Sequence, residues 1–353
     1  MVTIAADVHL KTSTFSVVEG NRKIMNKKIN NDPREILNII ERFPGSKQFS
    51  MEATYNRPVF YELLKDKVDD YILLHPKKLH HMMDSQSKCD KHDADAMARL
   101  TALGAIPRSY VAQAPSRQLR RLAHTYLNLA SQIAGLKNKI HAVINSNTFY
   151  SQRPKNFKDL FCRRGRAFLL EIPLPEKERF LVDRLLDTID QLQVIKRDLR
   201  DYIQSIDLHH DDLDILRTVP GFGGQVLSYV ALSEIDNILR FKNIRCFIAY
   251  AGLAPRDKSS GEKNRKGRLR SDSNHYLQWA FIEAVPAAIL KDRPLKLYYQ
   301  QLKKTKSSSV ARVILARRLA KNVYYMLKER KVYSSLNRES LTLSLLSASS
   351  VAA

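Results

Sequence analysis

Cysteine is scarce in this 353-residue chain: Cys89, Cys162 and Cys246 stand alone, an odd number with no CxxC pair. That excludes a disulfide framework and a zinc ribbon and leaves each as a small core or surface residue. No run of eighteen apolar residues occurs, so no membrane-spanning helix is predicted. The N-terminus opens directly into an apolar strand pattern, without the basic flank and cleavage site of a signal peptide. Acidic charge is also short, with 36 Asp and Glu against 59 Lys and Arg, a formal charge of +23 and a pI near 9.9. Such an excess calls for a polyanionic partner, nucleic acid ahead of a membrane surface. A soluble, intracellular chain with two or three domains is expected.

Against that background the few clustered acids need a reason. Lys88-Cys89-Asp90-Lys91-His92-Asp93-Ala94 sets Asp90 and Asp93 three residues apart at a helix start, on one face, with Asp95 pointing elsewhere. Taken alone, acids in a first helical turn are also what the backbone dipole favours. The chain before them predicts strands at 2–7, 14–18 and 23–29 as an antiparallel meander. A helix follows, opened by the N-cap Asp32 and by Pro33, then a strand at 48–53 that carries Glu52, a helix at 58–65 and a strand at 71–74. The order β-β-β-α-β-α-β-α implies a mixed sheet with helices. If the first and fourth strands are neighbours, Asp7 and Glu52 meet at the sheet's edge and the Asp90–Asp93 helix closes over them. Four converging carboxylates repel by several kcal/mol unless divalent cations neutralise them. Oxygen-only ligands favour Mg²⁺ or Mn²⁺, and paired ions of this kind serve phosphoryl transfer.

In the middle, Leu119, Leu122, Tyr126, Leu129, Ile133, Leu136, Ile140 and Val143 alternate by three and four, a coiled-coil seam. Leu181, Leu185, Leu192, Ile195, Leu199, Tyr202 and Ile206 keep the same frame, with Thr188 as the polar interruption; a basic connector runs from Arg153 to Pro175 between the two series. An intramolecular hairpin and a dimer seam both fit. Further on, Pro220-Gly221-Phe222-Gly223 has the shape of a helix-hairpin-helix turn, whose glycines Gly221 and Gly223 would let backbone N–H groups approach a DNA phosphate. An apolar helix ending at Pro255 leads into a loop dense in cations, Arg256, Lys258, Lys263, Arg265, Lys266, Arg268 and Arg270, which reads as a phosphate-contact surface. Ser259 and Ser260 lie in it. By composition they are ordinary loop residues, although a hydroxyl among guanidinium and ammonium groups is placed to attack a phosphate. Val313 to Leu327 predicts an amphipathic helix with Arg312, Arg317, Arg318, Lys321 and Lys328 on its other face.

The words Ala6-Asp7-Val8, Met51-Glu52-Ala53-Thr54 and Lys88 to Ala94, with Ala249-Tyr250-Ala251-Gly252-Leu253-Ala254-Pro255, Ser260-Gly261 and Asn274-His275-Tyr276-Leu277 further on, resemble the DEDD transposases of the IS-one-ten insertion-sequence family and the related Piv-type DNA invertases. The departures are Cys89, where Thr or Ser is usual, and Ser273, where Gly is usual. The resemblance implies an α/β plus α chain: a RuvC-like, RNase H-like domain over 1–113, a coiled-coil pair over 114–208, a mainly helical transposase domain over 209–335 and a disordered tail over 336–353. It implies Mg²⁺ or Mn²⁺ on Asp7, Glu52, Asp90 and Asp93, and Ser260 as the nucleophile forming a transient phosphoserine, with Ser259 as the neighbour that blurs the assignment. It also implies DNA, a non-coding bridge RNA and further copies of the chain (dimer or tetramer) as partners, a composite site drawn from two subunits, and a cytoplasmic, nucleoid-associated place in a prokaryote. Three other readings stay open: a metal-dependent junction resolvase or nuclease that cleaves with water, a non-enzymatic nucleic-acid-binding remnant, and a DEDD exonuclease.

Overall fold

The computed structural model describes residues 1–20, 22–53, 57–76, 79, 82, 90–106, 108–147, 159–206, 210–223, 226–260, 263–269 and 272–334, without the side chains of 57, 90, 91, 210, 256–260 and 263–268. The chain divides into two compact units, Met1–Val111 and Ala112–Ala353. The expected tail, Arg270, Cys89 and the first part of the basic connector lie outside the described residues.

The first unit is built on a six-stranded mixed sheet. Its strands are β1 (Val2–Val8), β2 (Thr12–Glu19), β3 (Arg22–Asn30), β4 (Lys47–Glu52), β5 (Asp70–Leu74) and β6 (Arg108–Ser109), in the spatial order β3-β2-β1-β4-β5-β6. β1, β4 and β5 are parallel, and the remaining pairs are antiparallel. The predicted meander and the neighbouring of the first and fourth strands are both present. Among the described helices that cover the sheet are α1 (Pro33–Glu41), α2 (Arg57–Leu64) and α3 (Asp90–Ala102). α1 starts as the sequence demands, with Asp32 Oδ1 accepting from the Arg34 (2.8 Å) and Glu35 (3.3 Å) backbone N–H groups.

Period-two alternation divides the strands between two cores. Ile4, Ala6, Val8, Phe15, Val17, Phe49 and Met51 pack with Ile36, Ile40 and Phe60 of α1 and α2, and Phe15 and Phe60 flank Phe49 at ring distances of 6.2 and 6.3 Å. Ala5, Val18, Ile72 and Leu74 face the other way, against Met97 and Ala98 of α3.

Among its described residues, the regular structure of the second unit is helical but for one hairpin. α4 (Ala114–Ser146) and α6 (Glu176–Ser205) are long, and α5 (Arg163–Glu171) lies between them in sequence; then come α7 (His210–Arg217), α8 (Val226–Ile235), α9 (Ile244–Tyr250), β7 (Pro255–Ser260), β8 (Lys263–Leu269), α10 (His275–Lys291), α11 (Arg293–Leu302) and α12 (Ser308–Glu329). α8 is buried almost all round, which makes it the centre of the main core with Phe222, Phe247, Phe281 and Leu319. α12 buries Leu315, Leu319, Val323 and Leu327, the face its periodicity predicts.

Two expectations need correction. The cation-rich stretch after Pro255 is not a loop but an antiparallel β-hairpin, in which Ser260 pairs with Lys263 and Lys258 with Arg265; paired backbone groups hold it where composition signalled a turn. Separately, Gly221 has φ +99° and faces α10: a Cβ there would sit 2.3 Å from the Ala284 carbonyl oxygen. Its glycine is required by internal packing. Lastly, α4 and α6 pack together, but α6 buries Val182, Leu186, Ile189 and Ile203, whereas Leu181, Ile195 and Tyr202 of the expected series are exposed. The inner face of α6 must also meet Leu160, Leu169 and Ile172, so the buried row is shifted by one residue. No helix among the described residues is long and apolar enough to cross a membrane.

Candidate active site

Asp7 and Glu52 are brought together by register. β1 and β4 run parallel, with Ala6 opposite Met51, so the next residue on each strand is Asp7 and Glu52, about 4.8 Å apart across neighbouring strands. Both fall on the alternation set of Thr3, Ala5, Gln48 and Ser50, the face that α3 covers. That is the carboxyl end of the parallel strands, where open α/β sheets hold their ligands. The Asp7 side chain is 15% exposed, with His9 Nε2 3.3 Å from its Oδ2. Across β2, Thr14 pairs with Asp7; it is fully buried, and its hydroxyl oxygen has no hydrogen-bond partner among the described residues. A buried oxygen without a partner is costly and adds a hard donor beside the two acids.

α3 is tied across this face at two points. Asp95 accepts from Ser16 and Asn26 (2.6 Å each) and pairs with Lys23. Burial works against the Asp95 charge, but the hydrogen bonds of Lys23, Ser16 and Asn26 outweigh it and hold the carboxyl below its ordinary value. At the other end, Thr101 shares a hydrogen bond with Ser50 (2.8 Å) and donates to the Met97 carbonyl (2.7 Å). Asp95 reaches toward Lys23, a residue that pairs with Val18 opposite the N-terminal half of β1. Asp93 lies about 200° away around the helix, on the flank opposite Asp95. Asp93 is half-buried; Asp90 begins the helix, and its side chain lies outside the described set. Among the described residues, no three His, Cys, Asp or Glu gather closely enough to hold a metal ion. The structure thus pairs Asp7 with Glu52, and Asp93 stands on α3, the helix that packs on this sheet. The carboxylates and the orphan Thr14 hydroxyl, with the His9 imidazole beside Asp7, offer mainly hard oxygen donors, which fit a hard divalent cation rather than a soft one.

In the second unit, Ser260 is the last residue of β7, at the tip of the hairpin, and Arg256, Lys258, Lys263, Arg265, Lys266 and Arg268 lie along its two strands. Gly223, the other glycine of the turn, is exposed.

A second ionised centre has no counterpart in the sequence reading. Glu234 of α8 is 3% exposed, with Oε1 2.6 Å from His124 Nε2 and Oε2 3.3 Å from Arg120 Nε, and Oε2 also accepts from Asn274 Nδ2 at 2.6 Å. Burial opposes its ionisation, but the His124 hydrogen bond, the Arg120 charge and the Asn274 amide together hold its pKa below the ordinary value. Arg120 and Arg240 donate to the last carbonyls of α8, at Ser233, Glu234 and Ile235, where cations are favoured by the helix dipole. Asn274 also caps α10 through Leu277 N–H. Glu234→Ala would strand Arg120 and His124 and is expected to cost about 3–5 kcal/mol of stability, measured by urea unfolding. Because folding lowers the Glu234 pKa, the stabilisation is complete above the ordinary carboxylate range and is lost as pH falls through the lowered value. Wild type should therefore lose stability in acid more steeply than Glu234→Gln.

Two family models match the chain. Residues 4–148 match a family model described as a transposase with an IS110-type DEDD domain, and residues 213–300 match one described as the transposase IS116/IS110/IS902 family. A Pseudomonas aeruginosa protein named as a probable family 20 transposase is 24% identical over 260 residues, 70% of this chain and 74% of its own length. The Streptomyces coelicolor protein of insertion element IS110 is 24% identical over 201 residues, 49% of each chain. The Streptomyces clavuligerus protein of insertion element IS116 is 24% identical over 157 residues, 44% of this chain and 38% of its own.

Proposed function

The chain belongs to the IS116/IS110/IS902 family of transposases, and from that premise we propose that it cuts and rejoins DNA for an insertion sequence, using an RNase H-like, RuvC-like unit and a serine-bearing unit. The observation that carries this reading is the register that sets Asp7 beside Glu52 under α3. Asp7, Glu52, Asp90 and Asp93 would hold Mg²⁺ or Mn²⁺, which when bound supplies charge neutralisation for phosphoryl transfer. Ser260 Oγ attacks the scissile phosphorus: an Oγ–P bond forms, the P–O bond to the leaving sugar breaks, and the serine proton ends on that sugar oxygen. The phosphodiester energy is kept in the phosphoserine link, so attack by a new strand's sugar hydroxyl rejoins DNA and restores the serine. Lys258, Lys263, Arg265, Lys266 and Arg268, with Arg256 and Arg270 beside them, neutralise phosphates along the substrate.

The partners in this reading are element and target DNA, a guiding bridge RNA and a second copy of the chain, in the cytoplasm. Support for the second copy comes from α6. Leu181, Ile195 and Tyr202, exposed at heptad spacing beside the half-buried Leu185, Leu192 and Leu199, leave an apolar stripe of the kind that pairs helices. Ile195→Asp is expected to shift the chain from dimer to monomer in sedimentation velocity, with its melting temperature within about 2 °C of wild type because the site is exposed.

The test of the function is to incubate the purified chain with a plasmid carrying the DNA that flanks its gene, together with RNA transcribed from that DNA. Rejoined recombinant products are expected with Mg²⁺ and none with a chelator. DNA binding without any strand breakage in Mg²⁺ or Mn²⁺ would defeat the reading. A second reading, cleavage by water in a RuvC-like nuclease, draws support from the division of the acids and Ser260 between two compact units.

A further inference from the structure

Beside the Glu234 centre, α4 and α10 border an open cleft of about 480 Å³, lined in part by Arg121, His124, Asn128, Ser131 and Tyr276. The His124 and Tyr276 rings stack with centroids 3.5 Å apart and planes 11° apart, and both residues remain partly exposed. The pair is held rigidly. Glu234, an acceptor in its ionised form, takes the hydrogen of His124 Nε2, and its other oxygen is used by Asn274 and Arg120. This fixes the imidazole plane and leaves Nδ1 as the ring nitrogen available to a ligand. No carboxylate is among the described residues that line the cleft, and the charge of the neighbouring Glu234 is taken up by Arg120 and His124.

A preorganised aromatic pair, an amide that both donates and accepts, a hydroxyl and a guanidinium are the groups that recognise a base and its phosphate. The volume suits one small ligand. In a duplex, base faces are covered by their neighbours, so only an unpaired base can enter such a stack. We propose that this cleft takes one unpaired nucleotide of a single-stranded nucleic acid, its base on the His124–Tyr276 stack, its edge against Asn128 and Ser131, and its phosphate on Arg121. The proposal rests on the nucleic-acid-enzyme reading above and assigns it a place for a strand that has left its duplex. Stacking is sequence-tolerant, whereas the Asn128 amide supplies a preference among bases.

The test uses the full chain and three fluorescein-labelled 20-mers, single-stranded DNA, single-stranded RNA and duplex DNA, read by fluorescence anisotropy. Tyr276→Ala is expected to weaken single-strand binding by about 10-fold while leaving duplex binding unchanged, and Tyr276→Phe to restore it. Asn128→Glu, on an exposed helix position, places a carboxylate in the cleft without touching the core. It should give a similar selective loss even where Tyr276→Ala proves unstable. A loss confined to the RNA arm assigns the cleft to RNA, and one confined to single-stranded DNA assigns it to a DNA strand. The proposal is overturned if both variants bind single strands as wild type does, or if duplex binding falls by the same factor. Wild type that binds none of the three probes would remove the nucleic-acid reading itself, and the cleft's role with it.

Discussion

Ser260→Ala is expected to bind DNA like the wild-type chain but to form no covalent protein–DNA adduct, and to lose strand exchange by about 10⁶-fold, the scale seen when a serine nucleophile is removed elsewhere. Alanine has no oxygen to carry the phosphorus. Adducts trapped by denaturation and resolved on a gel measure this directly. Ser259→Ala is the companion variant. With Ser260 as the nucleophile, Ser259→Ala should keep both adduct and exchange. If Ser260→Ala still cuts DNA in Mg²⁺ at the wild-type rate, water is the nucleophile and the hydrolytic reading replaces the transposition chemistry.

The second large effect concerns Asp7 and Glu52. Asp7→Asn and Glu52→Gln keep shape and hydrogen-bonding capacity while removing a charge, so the sheet should be unaffected. Each is expected to lower strand cleavage by about 10³-fold or more, the loss typical of removing one electrostatic stabiliser of a developing charge. Mn²⁺ binding, followed by its paramagnetic resonance signal without DNA, gives a readout independent of turnover: wild type should bind and both variants should bind far more weakly. Wild-type Mn²⁺ affinity retained in both would refute the assignment of this pair as cation ligands. The adjacent pairing of the two residues at the ends of β1 and β4 predicts that their effects are not additive, because either change alone removes the shared site.

Much of the first unit was legible beforehand. Alternating strands, the Asp32–Pro33 helix start and the placing of acids at strand ends are local patterns, and local sterics and capping decide them. The distinction between Asp93 and Asp95 was legible too, since a helix turns 100° per residue. Asp95's partners were not: Ser16, Lys23 and Asn26 are 69 to 79 residues away in sequence, and only the packing of α3 on β2 and β3 brings them together. Glu234 and His124, 110 residues apart, carried no signal either, because a lone Glu and a lone His in two helices look like surface residues until the core closes around them. The hairpin misread as a loop shows the reverse case, in which composition spoke for a turn and cross-strand pairing overrode it. The heptads of α6 show a third: a 3.5-residue period identifies an apolar stripe but does not say whether it faces inward or outward.

Returning to the acids of an otherwise basic chain, residue order alone determined which carboxylates end strands and which begin a helix, because strand and helix periods act over a few residues. Tertiary structure decided that Asp7 and Glu52 share a row, that Asp95 serves as the tether of α3, and that Glu234 anchors an aromatic pair. Those outcomes depend on strand order, register and helix packing, which are settled by the burial of surfaces far apart in the chain.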